Sequence, residues 1–337
     1  MKHPPGYTAP DAGNQVLRLQ KALYGLKQAG CHWYQTFTHI LSQLGFTQCN
    51  VDQAVYHKSN LKAGELTVIA VHVDDCTIAA TDQHLVDDFK RELGKHVEVT
   101  DLGALHWMLG IKVRRDWDGG TIHLSQHAYI DAILRRFNFT DLKPLSLPMD
   151  VQCKLSSEQS PISTAEFAAM HDIPYREAVG ALNWAALATR PDISFAVSTI
   201  ARFASNPGPV HWEAVKRIFR YLSGMRDLWL SYGEVQRTLA GYTDADGSMS
   251  EDRRAISGYA FLIDGGAVSW SSKHQEIISL STTESEYVAA THGMKEALWL
   301  RSLISETFGS LKDATTLFSD NQSAIALAHI CKKGNQP

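Results

Sequence analysis

The sequence predicts a multidomain protein of α/β and α+β class, and three observations point to it. Apolar runs of strand type, such as ELTVIAVHVDDCTIAA, alternate with helical segments through roughly the first third of the chain. Helical spacing then dominates through REAVGALNWAALATR and PVHWEAVKRIFRYLSG. From about Thr238 three strand-like runs, a long helix, a fourth strand and a short helix make up one α/β unit.

At 337 residues, with 44% apolar and 20% charged side chains, the chain is long enough for two or three packed domains and has the composition of a soluble globular protein. No apolar run approaches the ~20 residues of a membrane span, and MKHPPGYTAP lacks the apolar core of a signal peptide, so the expected location is intracellular. The five cysteines are scattered, without a Cys-x-x-Cys pair, which suits a reducing compartment and supplies no zinc site. A net charge of -4 argues against gripping nucleic acid by bulk charge and requires local basic faces instead.

Turn signals and composition divide the chain into four stretches, the first running to about residue 100. The first stretch holds a helical segment around KALYGLKQAGCHWYQTFTHILSQLGF, then the runs AVYHK and ELTVIAVHVDDCTIAA. TDQHLVDDFKREL opens with a Thr-Asp cap and sets Leu85, Phe89 and Leu93 on one helical face. WMLGIKVRRDWDGGTIHLSQ is two extended runs around Asp-Gly-Gly, a hairpin signal. VQCKLSSEQSPIST is the best linker. In PVHWEAVKRIFRYLSG, Trp212, Val215, Phe219 and Leu222 form an apolar stripe, and Lys216, Arg217 and Arg220 form a basic face open to nucleic acid or to water. Arg114, Arg115, Arg135 and Arg136 offer further cations. His123 and His127 are four apart, but the first lies in a strand, so a metal role is not expected.

Acidic residues punctuate the last unit. Asp244 or Asp246 ends its first strand, Glu286 sits in the first turn of the long helix, and Asp320 follows the fourth strand. Strand ends gather on one edge of a sheet, so these carboxylates can converge, and converging carboxylates repel unless cations lie between them. Hard oxygen ligands suit Mg²⁺ or Mn²⁺, and two such ions ~3.5–4 Å apart support phosphodiester hydrolysis. Other readings compete. TDADGS fails as a calcium loop, because Ser248, Met249 and Ala255 stand where that pattern needs other residues. Glu284 and Glu286 can simply serve the helix dipole, and Asp320 or Asn321 can cap the helix that follows. In the first stretch, Asp74 and Asp75 interrupt an apolar strand pair and read either as an ordinary turn or as metal ligands.

GYTDADGS, ISGYAFLIDGGAVSWSSKHQEIISLSTTESEYVAA, KEALWLRSLI and SDNQSAIALA resemble the RNase H domain of copia-type LTR retrotransposon polyproteins. KHPPGY, LQKALYGLKQA followed by WY, LGFTQCNVDQAVYHK, VHVDD, LGIKV, LSQHAYI, PYREAVGALNWAALATRPDISFAV and RFASNPGPVHWEAVKRIFRYLSG resemble the reverse transcriptase and connecting region of the same polyprotein, in the same order. The resemblance implies a partial reverse transcriptase with palm and thumb-like region over 1–150, a helical connection over 151–235 and an RNase H-like mixed-sheet domain over 236–337. It also implies Mg²⁺ or Mn²⁺ as cofactor and RNA–DNA hybrid or template–primer as partner, alongside other parts of the polyprotein. It assigns nuclease carboxylates to Asp244, Glu286 and Asp320, and the polymerase turn to Asp74 and Asp75.

The chain departs from the family pattern in three places. A further metal-binding aspartate precedes the KHPPGY-like segment in the family, whereas Met1 stands there here, so polymerisation by this chain alone is not expected. His72 replaces a tyrosine. After SAIALA the chain reads HICKKGNQP, where the family continues into a segment carrying a further acidic or histidine ligand of the nuclease site. Two expectations follow from different classes: a metal-dependent ribonuclease H of polymerase ancestry, or a catalytically inactive retroelement remnant acting at most as a nucleic-acid-binding module.

Overall fold

The computed structural model describes residues 18–60, 62–150, 152–233, 238–246 and 254–333, with side chains up to residue 329. The KHPPGY segment, residues 247–253 of the would-be calcium loop and the end of the HICKKGNQP tail lie outside the described residues. Two compact units emerge. The first takes in residues 1–103 with 301–311, the second 104–300 with 312–337.

In the first unit, α1 (Ala29–Gln43) is followed by a four-stranded antiparallel sheet in the order β1-β2-β3-β4, built from β1 (Thr47–Gln48), β2 (Val55–Asn60), β3 (Glu65–His72) and β4 (Asp75–Ala80). The helix is shorter than KALYGLKQAG suggests. Gly25 takes φ +86°, a left-handed conformation that ends regular structure before Ala29. α2 (Gln83–Leu93) starts at Asp82, whose carboxylate accepts from the His84 N–H. Phe89 and Leu93 of α2 pack with Phe37, Ile40 and Leu41 of α1 and with Tyr56 and Ile69 of the sheet. Burying such side chains contributes roughly 1.5–3 kcal/mol each, so the sheet is held from its apolar face.

The second unit opens with β5 (Trp107–Met108), β6 (Ile111–Asp116) and β7 (Thr121–Ser125). The Asp-Gly-Gly turn is where the sequence places it, with the Asp116 carboxylate accepting from the N–H groups of Asp118 and Gly119. A strand the sequence reading did not mark, β8 (Leu230–Tyr232), pairs with β7 and completes the order β5-β6-β7-β8. The hairpin therefore packs in the second unit. α3 (His127–Arg136), α5 (Tyr175–Ala188), α6 (Ser194–Ala201) and α7 (Pro209–Gly224) enclose a core that includes Leu182, Val215, Ile218 and Phe219, all fully buried. The Ser/Pro-rich stretch is ordered: a 3-10 turn at Ser157–Gln159 and α4 (Thr164–Met170), capped reciprocally by Ser163 and Glu166.

The last part of this unit is a four-stranded sheet in the order β11-β10-β9-β12, from β9 (Ala240–Asp246), β10 (Ile256–Ile263), β11 (Gly266–His274) and β12 (Thr316–Phe318). β9, β10 and β11 are an antiparallel meander, and β12 joins β9 in parallel after α8 (Thr282–Phe308). α9 (Gln322–Lys333) follows β12. Gly293 lets α8 approach the sheet: a Cβ there would run into the Thr243 methyl. That contact fixes how far the acidic start of the helix stands from β9.

Candidate functional site

Alternation along β9 buries Gly241 and Thr243 and leaves Tyr242 and Asp244 exposed. Asp244 comes out two residues before the strand ends. Asp320 lies just past β12, the parallel neighbour of β9, so the chain brings both carboxylates to the same edge. Glu286 arrives from α8, beyond its first turn rather than within it. The capping duty near that end falls elsewhere: Ser281 Oγ accepts from the Glu284 N–H at 3.1 Å, and Glu284 Oε2 accepts from the Leu280 N–H at 2.7 Å. Asn321 likewise caps α9, its Oδ1 accepting from the Ala324 N–H at 2.9 Å, which leaves Asp320 unneeded for that role. Glu284 and Asn321 thus take the structural roles weighed for this set.

One ligand oxygen each from Asp244, Glu286 and Asp320 lies within 4.8 Å of the others. Asp244 and Asp320 are exposed, whereas Glu286 is 7% exposed. Glu286 accepts from the Ala245 N–H, yet its Oε2 is buried without a hydrogen-bond partner. Burial first, then the negative charge of Asp244, hold the Glu286 carboxyl above its usual range; the Ala245 N–H works the other way, and Asp320 adds further repulsion. A buried carboxylate oxygen with no donor, on a side chain gathered with two other carboxylates, is an arrangement a hard divalent cation satisfies. Beside it runs an open cleft of ≈ 490 Å³ lined by Tyr242, Asp244, Phe318 and Asp320, with Gly258 and Ala260 across from them. The Tyr242 and Phe318 rings stack at 5.0 Å. Sequence reading missed this aromatic pair; its only signal was the position of each ring two residues before a carboxylate. Asp246, the alternative first ligand, is not among the gathered three.

Asp74 and Asp75 occupy the β3–β4 hairpin turn, with His72 paired to Asp75. Val73 takes φ +56°, an uncommon conformation for a β-branched residue. Two aromatic residues hold the turn: the Trp33 indole N–H donates to the Val73 carbonyl at 2.8 Å, and the Tyr24 hydroxyl donates to the Asp74 carboxylate. The hydrogen bond to Asp74, and then the negative charge of that carboxylate, raise the Tyr24 phenol above its usual range. Both aspartates are exposed, and among the described residues no third metal-ligating side chain gathers with them.

Comparison with known proteins agrees with the order of these elements. A family model described as reverse transcriptase (RNA-dependent DNA polymerase) matches residues 1–151. The chain is 39% identical over 329 residues to the retrovirus-related Pol polyprotein from transposon TNT 1-94 of Nicotiana tabacum, covering 97% of this chain and 25% of that polyprotein. It is 34% identical over 330 residues to the Pol polyprotein from transposon RE1 of Arabidopsis thaliana, covering 97% and 22%. With a transposon Ty5-1 protein of Saccharomyces cerevisiae it shares 32% identity over 300 residues, 88% of this chain and 94% of that protein. The chain belongs to the copia-type retrotransposon Pol family. It spans about a quarter of the length of the Pol polyproteins it matches. No solved structure matches it.

The reverse transcriptase-like part of this copia-type chain contains the Asp74–Asp75 turn and ends before the carboxylate trio begins. Among its described residues no helix is long and apolar enough to cross a membrane. The basic face of α7 is engaged within the fold: Lys216 pairs with Glu213, Arg217 lies 3.6 Å from Asp150, and the Arg220 Nε–H donates to the Lys143 carbonyl at 2.8 Å. Sequence spacing showed these cations on one side of a helix but could not show which segment lies against it. His123 bonds to Ser231 Oγ, and His127 faces Asp131 and Asp227.

Proposed function

We propose that Asp244, Glu286 and Asp320 form a divalent-cation site, for Mg²⁺ or Mn²⁺, that cleaves the RNA strand of an RNA–DNA hybrid in the manner of RNase H. The observation that carries this reading is Glu286: buried, bonded to one backbone N–H, and left with one oxygen that has no hydrogen-bond partner on a side chain gathered with two other carboxylates. The β11-β10-β9-β12 sheet, with α8 before its parallel fourth strand and α9 after it, supports an RNase H-like assignment for 236–337, and the family membership supports nucleic acid as the partner. Within the site Glu286 is the fixed member, oriented by the Ala245 N–H. Asp244 and Asp320 are the exposed members, placed to face a phosphodiester in the cleft, with Tyr242 and Phe318 offering a stacked surface for the adjoining sugar or base. A cation bound there would supply charge neutralisation at the phosphate and a more acidic water.

The decisive experiment incubates the purified chain with a labelled RNA–DNA hybrid and Mg²⁺ or Mn²⁺, beside a double variant Asp244→Asn, Asp320→Asn. Cleavage by the parent and none by the variant is the expected outcome. Equal cleavage in both, or none in either, removes the nuclease reading and leaves the inactive remnant. For Asp74 and Asp75 we propose a metal-binding turn of polymerase ancestry. With two carboxylates gathered among the described residues rather than three, primer extension on an RNA template by this chain alone should give no product; robust extension would overturn that. The α7 cations Lys216, Arg217 and Arg220 remain candidates for phosphate contact, because Lys216 and Arg217 each keep 30% of the side chain exposed.

A further inference from the structure

The β5-β6-β7-β8 sheet has two unlike faces. Ile111 and Val113 of β6 point inward and are buried. Lys112 and Arg114, their alternates, point outward. Register extends that outer face sideways. Trp107 is the cross-strand partner of Lys112 on β5, and His123 is the partner of Arg114 on β7, with Ser231 of β8 beyond it. Trp229, just before β8, comes to the same face: the Lys112 ammonium lies 6.0 Å from its ring centroid, and the His123 ring meets it edge-on at 6.3 Å. Trp107 is 54% exposed and Trp229 38% exposed.

Two half-exposed indoles flank a lysine, therefore, on a sheet face whose next row carries an arginine and a histidine. Among the described residues no ion pair occupies Lys112, Arg114 or Arg115, although carboxylates outnumber cations in the chain. The nearest acidic side chain along β6, Asp116, is turned into its own hairpin by two backbone N–H groups. At the hairpin tip the Arg115 guanidinium stacks 3.6 Å from the Trp117 ring centroid, and Trp117 is 75% exposed. Flat rings interleaved with unpaired cations match the two surfaces of an unpaired nucleotide, a base that stacks and a phosphate that is neutralised. A duplex keeps its bases stacked on one another and offers the rings nothing to cover.

We infer that this sheet face is a binding platform for single-stranded nucleic acid, with Trp107 and Trp229 stacking bases and Lys112 and Arg114 meeting phosphates. The site is separate from Asp244, Glu286 and Asp320, and it stands whether or not those residues cleave a hybrid. The test uses the full chain in EDTA, so metal-dependent chemistry plays no part in the result. The probe is a fluorescein-labelled oligothymidylate of about 12 nucleotides, within the usual site sizes of such surfaces, read by anisotropy beside a DNA duplex of the same length. The expected result is binding of the single strand in preference to the duplex. Each Trp→Ala change at 107 or 229 should weaken it at least about fivefold, and Trp→Phe should retain most of the affinity. Lys112→Ala should lower the salt dependence of log affinity by about one unit. Circular dichroism checks that the variants are folded, and the Lys112→Ala and Arg114→Ala variants carry the test if an alanine at either tryptophan unfolds the sheet. Failure of the parent chain to bind overturns the inference. So does duplex binding as tight as single-strand binding, or unchanged affinity in a folded Trp107→Ala, Trp229→Ala double variant.

Discussion

Replacing Glu286 by Gln should stabilise the metal-free chain and abolish most of its response to Mg²⁺. The substitution keeps the shape of the side chain and an oxygen for the Ala245 N–H, and it removes one of three negative charges whose ligand atoms lie within 4.8 Å of one another. Two unit charges at that separation repel by roughly 3.5 kcal/mol at an effective dielectric constant of ~20. Because Asp244 and Asp320 are exposed, solvent and salt cut the net gain from neutralising Glu286 to roughly 1–2 kcal/mol. For a cooperative unit of this size that is a rise in Tm of about 2–8 °C in EDTA. The direction is opposite to that of most substitutions at buried positions, which destabilise. Mg²⁺ at ~100 times its Kd should then stabilise the parent by about 2.7 kcal/mol and the variant by much less. Differential scanning calorimetry with and without Mg²⁺ reads both quantities. A variant less stable than its parent in EDTA, or an equal Mg²⁺ shift in both proteins, would refute the assignment of Glu286 as the strained member of a cation site.

Other outcomes follow from the second unit and the turn. His211 is fully buried against the Phe203 ring, accepting from the Gly208 N–H at Nδ1 and donating from Nε2 to the Ser156 carbonyl; burial holds its imidazole below the usual 6.5. A proton on Nδ1 would oppose the Gly208 N–H, and the unfolded chain takes up that proton first. Stability should therefore be retained above about pH 6.5 and fall as pH drops through the window below it; a His211→Gln variant should flatten that slope in urea titrations, and an unchanged slope would count against His211. Arg190→Ala removes a guanidinium that is 2% exposed and bonded to Asp192 and the Met225 carbonyl, so unfolding free energy should fall by about 3–5 kcal/mol; a loss under about 1 kcal/mol would show that solvent replaces the pair. Trp33→Phe keeps the stack on Phe37 and loses the hydrogen bond to Val73, at a cost of roughly 0.5–1.5 kcal/mol. Faster amide exchange confined to the Asp74–Asp75 turn is expected, and unaltered exchange would remove Trp33 as its support.

Much of the secondary structure was legible because it rests on local signals. Asp82 caps α2, Asp-Gly-Gly turns β6 into β7, and the stripe Val215, Phe219, Leu222 runs along α7. Two elements were not legible for the same reason. β8 is three residues long, too short to show a period, and exists because β7 offers it an edge. The Ser/Pro-rich stretch, besides its local caps, is held by His211 reaching back to Ser156, 55 residues away along the chain, a contact no local pattern shows.

The candidate site divides along the same line. Residue type and spacing singled out Asp244 or Asp246, Glu286, Asp320 and the Asp74–Asp75 pair, because carboxylates at strand ends and beside helix starts stand out against apolar runs. They also determined the family, since the matching segments occur in order along nearly the whole chain. Which acidic residues gather depends on long-range packing. Asp246 shares a strand face with Asp244, and Glu284 shares a helix with Glu286, so local pattern cannot separate them. The parallel pairing of β12 with β9 and the close approach at Gly293 do, by bringing Asp320 and Glu286 to Asp244 while Glu284 and Asn321 satisfy helix ends. Burial is likewise a property of the packed chain: it leaves Glu286 Oε2 without a donor, and that missing partner is what the proposed cation would supply.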